Sequence, residues 1–109
     1  MGFIKLPKST TDLTSFDLMN IYSQVADIKS ASNTKLQIEM INPTIAGAGN
    51  DENSLYEITT STMTDLQRLQ MIQNLSLAVQ EVALTPNSVP VLTVVTGVTI
   101  SSLTYRQVL

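Results

Sequence analysis

The chain has 109 residues, enough for one compact domain, with a formal net charge of −3 and only 14% charged residues. It has no Cys, His or Trp, which excludes disulfide scaffolds, thiol nucleophiles, His-based triads and zinc sites built on Cys or His. Its cations, Lys5, Lys8, Lys29, Lys35, Arg68 and Arg106, are scattered and offer no basic face for nucleic acid.

An average soluble domain carries about 25% charged residues, and this chain replaces the missing charge with Ser and Thr, roughly a quarter of its length. Hydrophobic residues reach 43% and mean hydropathy is +0.17, so the chain is a folding one, not a solvating one. A surface rich in hydroxyls and poor in Lys and Glu has the composition of a protein–protein interface. Thr-rich β-structure accounts for part of the same bias. Met1–Lys5 lacks the basic and apolar regions of a signal peptide. The longest apolar-rich stretch, Val89–Val95, is far short of the ~20 residues that span a bilayer. The expectation is one soluble domain over residues 1–109, with no repeat and no linker.

In chain order, Gly2–Leu6 reads as a short strand stopped by Pro7, which cannot donate to a ladder. Lys8–Thr14 is a polar connector. Phe16–Ile28 fits either period and is read as a strand, because the turn cluster Ser30–Thr34 and a cleanly alternating run, Lys35–Ile41, follow it. Asn42–Ser54 is loop, and Leu55–Thr59 a short strand. Leu66, Leu69, Ile72, Leu75, Val79 and Val82 recur at spacings of three and four and predict a helix, Thr64–Leu84, buried along that stripe. Thr62 and Asp65 resemble a capping box, Pro86 supplies a stop, and Gln67, Gln70, Asn74 and Glu81 form the polar face. Val89–Leu103 is one long strand or a hairpin turning at Thr96-Gly97. The predicted fold is α+β: a mostly antiparallel sheet of about five strands with one amphipathic helix packed on one face.

Phe3-Ile4-Lys5-Leu6-Pro7, the loop Ala46-Gly47-Ala48-Gly49, the helix Thr64–Leu84 and Gly97-Val98-Thr99-Ile100 together resemble a group of short proteins from marine bacteriophages, especially cyanophages. The resemblance covers most of the chain; the loop Asn50–Asn53 is longer and more acidic here, and the tail Leu103–Leu109 is extra. It implies a phage gene product, part of the particle, with no catalytic residues to carry over.

No constellation makes a convincing active site. Ser32-Asn33-Thr34-Lys35 has Ser-x-x-Lys spacing but lies on a turn, where such side chains bond their own backbone. Gly47-Ala48-Gly49 precedes Asn50-Asp51-Glu52-Asn53 instead of a helix start, so an anion would be repelled. Those four residues offer hard oxygens without EF-hand spacing and read as a solvated loop tip. Glu39 and Glu57 fall on the polar face of neighbouring strands, as exposed carboxylates. Met19, Met40, Met63 and Met71 read as adaptable core filling.

The resulting expectation is a non-enzymatic structural or assembly protein, with no cofactor, metal, nucleic acid, membrane or small-molecule substrate. Its partners would be itself or phage particle proteins, in the virion or in the host cytoplasm before assembly. The rival is a soluble module that targets a host protein. The termini supply the candidate contact residues: Phe3, Ile4, Leu6, Leu103, Tyr105, Val108 and Leu109. Apolar ends left in water invite association, and open strand edges invite a neighbouring chain.

Overall fold

The computed structural model describes residues 2–9, 11–12, 14–41, 53–85 and 87–108, the last three by backbone only. The expected α+β class holds, with six strands in two antiparallel sheets among the described residues in place of one sheet of about five. Strands β1 (Gly2–Pro7) and β2 (Phe16–Ile21) form a two-stranded sheet. Strands β3 (Val25–Ser32), β4 (Lys35–Met40), β5 (Asn53–Thr60) and β6 (Ile100–Val108) form a four-stranded sheet in that order. Helix α1 (Asp65–Leu84) lies between β5 and β6 in the chain.

The single strand expected over Phe16–Ile28 is in fact two, which belong to different sheets. Residues 22–24 turn the corner. Ser23 is buried there and its hydroxyl donates to the Ile41 carbonyl, while Ile41 N–H donates to the Gln24 carbonyl (2.9 Å). These bonds satisfy backbone groups that would otherwise be lost where the ladder breaks. The turn of the next hairpin is also tighter than expected: β3 runs on through Ser32, leaving Asn33-Thr34 as the turn. The carbonyls of those two residues accept from Met63 and Thr60 N–H, which ties the exit of β5 to the hairpin.

The helix limits agree with the periodicity to within one residue, but its cap and buried face differ. Thr64, not Thr62, is the N-cap. Its hydroxyl accepts from Gln67 N–H, and the Gln67 side-chain oxygen accepts from Thr64 N–H, a complete capping box. The expected stop, Pro86, lies outside the described residues. The buried row is Met71, Leu75, Ala78 and Val82, with Ile72 and Val79 half-buried beside it. Leu66 and Leu69 of the expected stripe face outward, Leu69 being 54% exposed. An i+3 step falls about 60° short of a full turn. A walk through 66, 69, 72 and 75 therefore drifts from one side of the helix to the other. The helix carries two apolar rows on opposite sides, and the expected stripe crossed between them.

Residues 87–99 form neither expected strand nor hairpin, although the turn at Thr96-Gly97 is present. They make an irregular strap between β1 and α1. Lys5 N–H donates to the Pro90 carbonyl and Leu92 N–H to the Lys5 carbonyl, both at 2.9 Å, a short parallel bridge along the free side of β1. On the helix side, Asn74 donates to the Thr93 carbonyl (2.9 Å) and the Gln67 amide to the Thr96 carbonyl (3.1 Å). Two residues of the expected polar face therefore hold the strap in place.

The core is one cluster between two layers. Leu36, Ile38, Met40, Tyr56 and Ile58 face inward from the four-stranded sheet. Against them lie Ile4 and Leu6 of β1, Met19 and Ile21 of β2, the inner row of α1, and Leu92 and Val98 of the strap. Met19, Met40, Met63 and Met71 are all buried, in the core-filling role read from the sequence. No helix among the described residues is long and apolar enough to cross a membrane.

Candidate interaction surface

The two layers turn opposite kinds of surface outward. Alternation in β4 and in β5 from Tyr56 onward sends Lys35, Gln37, Glu39, Glu57 and Thr59 away from the core, while Leu55, at the same outward register, is buried. There Lys35 pairs with Glu57 (3.6 Å) and donates to the Thr59 hydroxyl (2.8 Å), while Gln37 donates to Glu57 (3.0 Å) and Asn53 to Glu39 (3.1 Å). Glu39 and Glu57 do lie on neighbouring strands, but in register with Leu55 and Gln37 respectively, each with its own partners. The Lys35 amine is committed to this face and Ser32 to the Thr34 hydroxyl and N–H, so the Ser-x-x-Lys spacing brings no amine to the serine. This face is solvated and of mixed charge.

The outer face of the second layer is apolar. Leu66, Leu69, Leu77 and Leu84 form the outer row of α1, each more than half exposed, with Gln73 and Gln80 between them and exposed Glu81 beside Leu77 and Leu84. On the sheet side, the same alternation that buries Ile4, Leu6, Met19 and Ile21 turns Phe3, Phe16 and Leu18 outward. The strap bridges the two halves with the exposed side chains of Val89 and Val91. A shallow groove of about 250 Å³ between α1 and the strap is lined by Leu77, Ala78, Pro90 and Val91 together with the polar Asn74, Glu81 and Thr93. The four leucines, Phe3, Phe16, Leu18, Val89 and Val91 are each at least 37% exposed, and polar Lys5, Asn74, Glu81 and Thr93 lie among them.

The terminal contact residues read from the sequence fare unequally. Ile4 and Leu6 are 0% exposed and belong to the core, because β1 is bonded on one side to β2 and on the other to the strap. They offer nothing to a partner. Phe3 stays on the surface, as part of the apolar face. Leu103 is half-buried against the core, and Tyr105 is 50% exposed. β6 pairs with β5 along its length, from Thr60↔Ile100 to Asn53↔Val108, as an intramolecular edge strand. The Val108 side chain, Leu109, Gly47-Ala48-Gly49 and Asn50–Glu52 lie outside the described residues.

Sequence reasoning missed the cluster that gathers all three tyrosines. Tyr22 at the sheet corner and Tyr105 on β6 each donate a hydroxyl hydrogen bond to buried Ser54, Tyr105 at 2.9 Å. The two phenolic oxygens lie 2.6 Å apart, and the Tyr105 ring packs on Tyr56 at 5.0 Å between centroids. Burial pushes the Tyr22 and Tyr56 phenols above their ordinary value of 10.0. The hydroxyl hydrogen bonds of the cluster tie the corner to β5 and β6. Its signal in the sequence was only three isolated tyrosines, distant along the chain. Among the described residues, no group of three or more Asp or Glu is placed to hold a metal ion.

Comparison of the chain with family models, with curated proteins and with solved structures finds no match.

Proposed function

We propose that this chain is a non-enzymatic assembly subunit that works by docking the outer face of its second layer onto another protein surface. The apolar face itself carries the reading. Four exposed leucines are gathered in one row of α1, whereas an ordinary monomer surface carries its hydrophobic residues scattered singly. Along the outer row of α1 the leucines alternate with Gln73 and Gln80, with Asp65 and Glu81 at its margins, so the middle of the row is poor in charge, as an interface centre is. The mixed charges of the opposite face support a solvent-facing role for that side and give no basic path to a nucleic acid.

The setting is a phage particle, as a small capsid- or tail-associated subunit made in the host cytoplasm; its support is the resemblance of Phe3-Ile4-Lys5-Leu6-Pro7 and the later motifs. Mass spectrometry of purified particles of the phage that carries the gene tests the proposal. The chain should be present in a fixed copy number, and Leu77→Glu should reduce its incorporation. Absence from particles together with capture of a host protein would favour the rival, a host-targeting module.

A further inference from the structure

We infer that the outer edge of β6 receives an extended strand from a partner protein, one whose side chains alternate between apolar and polar. This contact belongs to the four-stranded sheet and does not depend on the apolar face of the second layer.

An exposed sheet edge presents unpaired N–H and C=O groups, and folds usually blunt or cover it. Among the described residues, three of the four edges are treated that way. The free side of β1 is bridged by the strap through Lys5. Strand β2 has only six residues, and its Asn20 N–H donates to the Tyr56 hydroxyl. Strand β3 is broken by register shifts at Val25/Asp27 and Ser30/Ser32 and carries exposed Asp27 and Lys29. Its Ser30 carbonyl accepts from the Arg68 guanidinium at 3.2 Å.

Strand β6 has none of these devices. It runs nine residues, and from Ser102 to Val108 its register with β5 advances without a shift. Arg106 is its only charged residue, and it contains no Pro. Every second residue of such a strand points its N–H and C=O away from the neighbour it already has. Among the described residues, no hydrogen bond reaches those groups. The side chains beside the edge select what fits. On the inner side Leu103 is half-buried and Tyr105 half-exposed, so an added strand gains apolar contacts there. On the outer side Ser102 and Thr104 ask for polar neighbours. A lone strand needs only ~4.8 Å beside β6. A second copy pairing through its own β6 would bring its second layer to the same side of the seam, where the Tyr22 corner already stands against Tyr105. The edge therefore suits a single extended segment, held by main-chain hydrogen bonds and selected by alternate side chains.

A peptide of alternating Thr and Val, as long as β6 and with a Lys at each end, is the probe. Added to the wild-type chain, it should slow amide hydrogen exchange at alternate residues of β6 by about tenfold or more and leave β3 unchanged. N-methylation of one set of alternate peptide residues should abolish that protection. N-methylation of the other set should preserve it, because only one set faces β6. The Leu18→Lys/Leu77→Lys variant should be protected as well as the wild type, so failure of the docking face and failure of this edge are told apart. No protection at millimolar peptide overturns the proposal, as does binding that neither N-methylated set weakens. Protection of β6 that rises with protein concentration alone would put a second copy at the edge and overturn the partner strand.

Discussion

The side-chain nitrogen of Gln67 stands 3.1 Å from the point a Cβ on Gly97 would occupy. The same amide donates to the Thr96 carbonyl while its oxygen closes the helix cap on Thr64 N–H. One glutamine thus starts the helix and anchors the strap thirty residues on, and a side chain at residue 97 would press on its amide. Gly97 is also at φ +88, a left-handed conformation that L side chains rarely adopt.

Gly97→Ala should therefore cost about 1–2 kcal/mol from the backbone alone, plus displacement of the Gln67 amide. Gln67→Ala should cost a similar ~1–2 kcal/mol, through the lost cap and the lost strap bond. Urea unfolding of the two single variants and the double variant checks this. The double should lose less than the sum of the singles, because both disturb one contact.

The two rows of α1 separate under truncation. Met71→Ala or Leu75→Ala removes a fully buried side chain and should cost about 2–5 kcal/mol. Leu69→Ala changes an exposed one and should stay within ~0.5 kcal/mol in the monomer. Thermal or urea unfolding at a concentration low enough to exclude association reads both. A large loss at Leu69 would reverse the assignment of inner and outer rows.

The tyrosine cluster sets the alkaline limit. Tyr22 and Tyr56 hold their protons above the ordinary phenol value of 10.0, chiefly because burial disfavours the phenolate. The unfolded chain releases those protons near that value while the native chain retains them. Stability is thus intact below pH 10 and falls as pH rises beyond it. Phenolate absorbance followed against pH, native and in urea, should show part of the native signal delayed to higher pH. Coincident curves would contradict the burial of the cluster.

Strands β4 and β5 were legible because their alternation is set by one wet face and one dry face, a local pattern that composition alone reveals. The helix limits were legible for the same reason, but its orientation was not. With leucines on both sides of α1, the sequence carries two stripes, and only packing selects Met71 and Ala78 over Leu66 and Leu69. The corner at residues 22–24 and the strap are fixed by distant partners, Ile41 and Lys5, which no window of local sequence contains. Val and Thr suit a strand and an extended strap equally well. The surface residues followed suit. Apolar ends drew attention to Ile4 and Leu6, which are buried, whereas exposed Leu66 and Leu69 were assigned to the core and Leu77 and Leu84 to neither face.

Incorporation into purified particles of the wild-type chain beside Leu18→Lys/Leu77→Lys tests the docking face most directly. Both substitutions fall on exposed positions, so circular dichroism should match between the two proteins. The wild type should be present in a fixed copy number and the folded variant should be lost from the particles. Equal incorporation of the two proteins would contradict the docking face.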